Sequence, residues 1–169
     1  MKPTSKIAWA LVICLLSVIP AITQALQSDQ NQPTYIEADS VEMDDGTGIS
    51  IYKGNVVVTQ GSIRFTADKV VVTQKPGEAD HLDATGRPVH FQQEVDNNEG
   101  LVKGRSKRVE YSSDSEIIYL IDDAFLTQKQ DTFSSDRIIY DRAKAVVKAG
   151  TSAKGKERVR VTIGGTKKQ

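Results

Sequence analysis

From Thr34 onward the chain alternates apolar and polar residues in short runs. Ile63, Phe65 and Ala67 alternate with Arg64 and Thr66, and Val159, Val161 and Ile163 alternate with Arg160 and Thr162. A period of two puts one side chain in each pair on a buried face, which is the signature of a half-buried strand. Between the runs stand turn formers: Asp44 to Gly48, Lys53-Gly54-Asn55, Lys75-Pro76-Gly77, Gly86-Arg87-Pro88 and Asp96 to Gly100. Beyond the first 25 residues no stretch keeps a helical period. The pattern predicts an all-β, antiparallel chain.

The pattern also repeats. A shift of about 68 residues lays Val41-Glu42 on Val109-Glu110, Thr59-Gln60 on Thr127-Gln128 and Phe65 on Phe133. It lays Asp68-Lys69-Val70-Val71 on Asp136-Arg137-Ile138-Ile139. Smaller units start at Ala38, Ala67, Ser106 and Ser135. Repeats of this kind stack, each burying its apolar face against the next. Roughly 14 to 16 short strands result, too many for one flat sheet, so they should form a jelly-roll-like sandwich drawn out along one axis.

The alternation assigns an inner face. It holds Thr34, Ile36, Ala38, Val41, Met43, Ile49, Ile51, Val56, Val58, Ile63, Phe65, Val70, Val72, Leu82, Phe91, Tyr111, Ile117, Tyr119, Leu126, Phe133, Ile138 and Tyr140. Two readings stand: a dry core, or an apolar groove for acyl chains between splayed sheets. The end strands raise a further expectation. Thr34, Tyr35, Ile36 and Glu37 begin the β region, and Val159, Arg160, Val161, Thr162 and Ile163 end it. A stack that closes no barrel leaves such edges open to strand addition, unless the nearby Lys and Arg residues protect them.

Composition narrows the function. Lys and Arg number 22, as do Asp and Glu, so the basic footprint of a nucleic-acid binder is missing. Residues 1–25 read as a cleaved secretory signal: Lys2 and Lys6, an apolar run from Ile7 to Ile19, then Thr23-Gln24-Ala25 with cleavage expected after Ala25. The expected organisation is this signal, a flexible segment 26–33, the β region 34–163 and a tail 164–169. Cys14 is the one cysteine and lies in the signal. The exported chain would have no disulfide, thiolate metal site or cysteine nucleophile.

Catalytic chemistry is not expected. His81 and His90 form no ligand or triad pattern. Asp44-Asp45-Gly46 lacks the later ligands of a calcium loop and reads as a turn. Lys53-Gly54-Asn55 is not a phosphate loop, because no Gly-Lys-Ser/Thr follows it. No metal and no cofactor is expected. Lys53, Arg64, Lys103, Arg105 and Lys107 are candidates, by charge alone, for sugar and phosphate contacts.

Several blocks, in order, resemble a known family. They are Tyr35-Ile36-Glu37-Ala38-Asp39-Ser40, Gly54 to Gly61, Ala67-Asp68-Lys69-Val70-Val71-Val72, Gly104-Arg105-Ser106, Val109-Glu110-Tyr111, Asp136 to Tyr140 and Gly155 to Val159. They are similar to the LptA family of the OstA-like superfamily, periplasmic lipopolysaccharide transport proteins. The resemblance implies a twisted, open-ended β-jelly roll whose interior holds the acyl chains of lipopolysaccharide, with Thr34 and Ile36 among the lipid and first-strand contacts. It implies a bridge from the inner to the outer membrane, built by end-to-end self-association. An LptC-like inner-membrane protein and an LptD-like outer-membrane translocon would be its partners. The alternative from another class is a structural β-repeat protein with a dry core and no lipid. An exported hydrolase is disfavoured by the missing nucleophile and metal sets.

Overall fold

The computed structural model describes residues 29, 32–95, 100–150 and 158–164. The expected signal peptide lies outside them. Ten strands form one antiparallel sheet: β1 (Thr34–Glu37), β2 (Ser40–Asp44), β3 (Ile49–Gln60), β4 (Ile63–Thr73), β5 (His81–Val95), β6 (Gly100–Ser112), β7 (Ile117–Gln128), β8 (Asp131–Asp141), β9 (Val146–Ala149) and β10 (Arg160–Thr162). The long strands β3 to β8 pair in sequence order, with β1 and β2 on the free side of β3 and β9 and β10 on the free side of β8.

Every long strand breaks register near its middle. The breaks fall at Lys53/Val56, Thr66/Lys69, Thr85/Val89, Arg105/Arg108 and Ile121/Ala124. Bulges bend and twist a strand, and here they line up across the sheet. They divide it into a first limb (β2, β9 and residues 49–53, 69–73, 81–85, 108–112, 117–121 and 137–141) and a second limb holding the other halves with β1 and β10. The limbs face each other. Phe91 of the second limb and Tyr140 of the first lie strands apart in the register, yet their ring centroids are 6.1 Å apart. Likewise a Cβ on Gly104 would sit 3.1 Å from the Leu120 side chain. This explains the strand count. Against the expected 14 to 16 short strands, the described residues form ten, because six run through the crease and contribute two straight segments each.

The repeat is structural. Ile49 pairs with Thr73 and Val58 with Phe65 in the β3–β4 hairpin; 68 residues on, Ile117 pairs with Asp141 and Leu126 with Phe133 in β7–β8. The crease repeats too. Gly54 and Asn55 carry positive φ (78° and 46°), and their counterparts Asp122 and Asp123 do the same (61° and 52°). Gly, Asn and Asp are the residues that accept this backbone at least cost. By the same shift β1 and β2 together stand where β6 stands. They are split at Ala38-Asp39, where Asp39 N–H donates to the Gly54 carbonyl (2.9 Å) and Asn55 Nδ2 donates to the Asp39 carboxylate (2.9 Å).

The core lies between the limbs. Val56, Phe65, Val70, Ala84, Val89, Phe91, Val102, Val109, Leu126, Ile138 and Tyr140 are buried there. Four expected inner residues are on the outer face. Ser50 and Tyr52 pair with Val72 and Val70, and Ile118 and Leu120 pair with Tyr140 and Ile138. Directly opposed residues share a face, so Ile49, Ile51, Ile117 and Tyr119 point away from the core. The segments Ile49-Ser50-Ile51-Tyr52 and Ile117-Ile118-Tyr119-Leu120 are apolar in both phases or nearly so, and alternation could not choose between them. Tyr119 is covered outside by the Arg137 guanidinium, 4.8 Å above its ring. The last strand is also shorter than Arg158 to Ile163. Val159 and Ile163 flank β10 without belonging to it, and Ala38 is an exposed residue of the β1–β2 break rather than part of a strand.

Candidate functional site

At the β1 end the limbs part and leave a cavity of about 310 Å³ between them. Its second-limb wall comes from Thr34, Ile36, Val58, Gln60, Ile63 and Phe65, and its first-limb wall from Tyr52, Val72, Leu82, Tyr111 and Ile118. Each wall side chain follows from register. Thr34 opposes Gln60 and Ile36 opposes Val58, so the short strand β1 extends the second limb and turns Ile36 inward. Tyr52 is held over Val70 by the β3–β4 ladder. The lining is mostly aliphatic and aromatic, with polar groups at the rim (Gln74, Asp80, His81, Ser113) and Arg142 at one side. His81 thus stands at the rim of the cavity.

Of the candidate groove residues, Thr34, Ile36, Val58, Ile63, Phe65, Leu82 and Tyr111 line this cavity. Val56, Val70, Phe91, Leu126, Phe133 and Ile138 belong to the packed core instead. Toward β8, Phe91, Leu120, Leu126 and Tyr140 fill the space between the limbs. Among the described residues, the space between the limbs is open at the β1 end and packed around Phe91, Leu120, Leu126 and Tyr140.

Val41 and Met43 occupy inner-face register opposite Tyr52 and Ser50, yet they are 55% and 62% exposed. Their counterparts one repeat on, Val109 and Tyr111, are buried. The difference is position: β2 is an edge, and among the described residues no further strand covers it. Val161 at the opposite edge is also an inner-face residue, paired with Phe133 and 50% exposed. Ile163, beyond it, is 77% exposed. Both ends of the sheet present uncovered apolar inner-face side chains.

The cations chosen by charge lie elsewhere. Arg64 and Lys103 flank a shallow outer depression, Arg105 stacks over Phe125 at 5.1 Å, Lys107 pairs with Asp123 at 2.5 Å and Lys53 with Glu42 at 3.8 Å. None lines the cavity. Among the described residues, the cation that does is Arg142, just after β8, with a side chain only 3% exposed. Its Nε donates to Gln93 Oε1 (3.1 Å), its Nη1 to the Tyr111 hydroxyl (3.1 Å) and its Nη2 to the Asp29 carboxylate (3.4 Å). Burial raises the Tyr111 pKa above that of a free phenol, with the Arg142 charge opposing the shift. Gln93 sits on the second limb and Tyr111 on the first, so the guanidinium ties the limbs at their open side. An arginine in a post-strand turn reads by default as solvated, and nothing in the spacing marks it. Tyr52 was findable, because the 68-residue shift lays it on the apolar Leu120.

The Asp44 turn carries local chemistry only. The Asp44 carboxylate accepts from the Gly46 and Thr47 N–H groups (2.9 and 3.3 Å). Bonding to Thr47, above all its side chain, and to the Gly46 amide lowers its pKa. That is an Asx turn closing the β2–β3 hairpin.

Comparison with known proteins agrees with this geometry. The family described as LptA/(LptD N-terminal domain) LPS transport protein matches residues 35–146. The lipopolysaccharide export system protein LptH of Pseudomonas aeruginosa is 35% identical over 127 residues, covering 75% of this chain and 73% of that protein. LptA of Escherichia coli K12 is 35% identical over 142 residues (81% and 75%), and LptA of Haemophilus influenzae 36% over 142 residues (82% and 81%). The crystal structure of the Pseudomonas LptH superposes with a TM-score of 0.75 at 30% identity, over 82% of this chain and all of that one. Over that length, and with this bent sheet, the chain belongs to the LptA/LptD N-terminal-domain family of lipopolysaccharide transport proteins.

Proposed function

We propose that this protein carries lipopolysaccharide through the periplasm, from the inner toward the outer membrane, by holding the lipid's acyl chains between its limbs. The observation that carries the reading is the apolar cavity at the β1 end. It is large enough to take acyl chain, and polar groups stand at the rim where sugars would meet water. Burying a methylene is worth about 0.8 kcal/mol, so a lipid with several chains cannot cross water unaided, and an apolar cleft removes most of that cost. No residue in the cavity needs to perform chemistry. Export follows a cleaved signal at residues 1–25.

The carrier extends itself. The uncovered inner-face residues Val41 and Met43 at one edge and Val161 at the other, with the exposed Ile163 just beyond β10, support end-to-end strand addition between copies. An LptC-like protein would meet one end and an LptD-like translocon the other. The filled space near β8 favours the dry-core alternative over that part only.

Replacing Ile36 by Asp tests the cavity. Ile36 is half-buried at its wall, so the fold should survive. A carboxylate there must be desolvated by each acyl chain, at a cost above the about 1–3 kcal/mol of an uncharged polar group, and lipopolysaccharide affinity should fall about tenfold or more. Equal affinity in calorimetric titrations, with an unchanged melting curve, would sink the groove.

A further inference from the structure

The contacts around Asp29 describe a second binding position at the open side of the limbs. Its Oδ1 accepts from the Ser62 N–H at 2.7 Å, and its Oδ2 from the Ser62 hydroxyl and Gln93 Nε2, both at 2.9 Å, as well as from Arg142. Asp29 precedes every strand, whereas Ser62 lies in the β3–β4 turn, Gln93 on β5 and Arg142 after β8. The fold therefore builds a cradle of a backbone amide, a hydroxyl, a carboxamide and a buried guanidinium. Two of these groups can also accept: Gln93 Oε1 is already taken by Arg142 Nε, and the Ser62 hydroxyl is oriented as a donor to the carboxylate. Such a cradle selects an anion, and a residue from outside the sheet fills it.

We propose that this cradle takes the phosphate of an acylated lipid and that the Asp29 carboxylate is its internal stand-in, displaced when the lipid loads. The proposal rests on the transport reading above. Its warrant is adjacency: Arg142 faces the anion on one side and lines the apolar cavity with Ile63 and Tyr111 on the other. An amphiphile with chains in the cavity would bring a phosphate attached near them to Arg142. A phosphate offers more acceptor oxygens than a carboxylate, so it can satisfy the same donors. A buried arginine left without any anion is costly, which accounts for a resident carboxylate in the unloaded state. The exchange also keeps the cavity selective, since an uncharged lipid cannot replace Asp29 at the guanidinium.

The test compares monophosphoryl lipid A with the same lipid dephosphorylated, and inorganic phosphate alone, on the exported-length chain. Three forms are titrated by calorimetry: the natural chain, Asp29→Asn, and the double variant Asp29→Asn/Arg142→Gln, which removes both charges together. Melting curves confirm that each is folded. The quantity read is the affinity ratio of phosphorylated over dephosphorylated lipid. It should exceed one in the natural chain, rise about tenfold in Asp29→Asn as the competing charge is removed, and fall to near one in the double variant. Inorganic phosphate should bind far more weakly than the lipid. The same ratio in all three folded forms overturns the proposal and leaves the transport reading standing. Inorganic phosphate binding as tightly as the phosphorylated lipid overturns it as a lipid site. Binding of neither lipid to any form overturns the transport reading, and the proposal with it.

Discussion

Phe91→Ala should lower the unfolding free energy by about 3–5 kcal/mol, measured by urea denaturation. Phe91 is 2% exposed and stands where the two limbs meet. Its ring lies 5.2 Å from that of Phe65 on the same limb and 6.1 Å from that of Tyr140 on the other. Its neighbour across the ladder is Gly104, which has no side chain and lets the ring lie over its backbone. The usual relief of a truncated core residue, collapse of neighbours into the space, is thus weak. Gly104 brings nothing to fill it, and Leu120, which meets the same inner face of Gly104, is itself fully buried and already packed there. The loss should sit at the upper end of what such truncations cost. A loss under about 1 kcal/mol would mean that the limbs are not packed through this ring.

The second large effect is on association. Val161→Asp with Ile163→Asp should weaken the proposed end-to-end self-association at least about 30-fold, since each carboxylate desolvated at a new contact costs more than the roughly 1–3 kcal/mol of an uncharged polar group. The fold itself should scarcely change. Both side chains are already half or more exposed, and substitutions at such positions usually stay within about 0.5 kcal/mol. This separation of effects is the diagnostic. Exposed apolar residues that served only the monomer would change stability and leave association alone. Sedimentation velocity over a concentration series, beside a melting curve, reads both. Oligomers unchanged by the two charges would place the contact at some other surface.

Much of this architecture was legible in the chain. The 68-residue repeat predicted stacked, matching β-units, and the hairpins β3–β4 and β7–β8 match to the residue, down to the paired positive-φ residues at Gly54-Asn55 and Asp122-Asp123. The turn formers marked those bulges as breaks, which is why the strand number came out high: a bulge and a hairpin turn draw on the same residues. Face assignment succeeded where one phase was polar, as at Ile63, Phe65 and Ala67. It failed at Ile117-Ile118-Tyr119-Leu120, where both phases are apolar and only the pairing of Ile118 with Tyr140 decides. The resemblance supplied the family and the apolar interior, but not where that interior is open. Openness depends on how side chains from several strands meet: Phe91, Leu120 and Tyr140 close the space at one end, whereas Tyr52, Phe65 and Tyr111 line a cavity at the other. Arg142 was invisible for a related reason. Its burial is made by Asp29, Gln93 and Tyr111, which come from distant parts of the chain.

Photo-crosslinking at single positions tests the central claim most directly. A photoreactive amino acid placed at Ile36 or Phe65, whose side chains line the cavity, should capture lipopolysaccharide. The same group at Ile51 or Tyr119, on the outer face of the same sheet, should capture little. The four sites lie within one bent sheet, so general stickiness or misfolding would not separate them. Capture confined to the inner pair is the predicted result. Equal capture from both faces, or capture from the outer pair alone, would contradict carriage between the limbs.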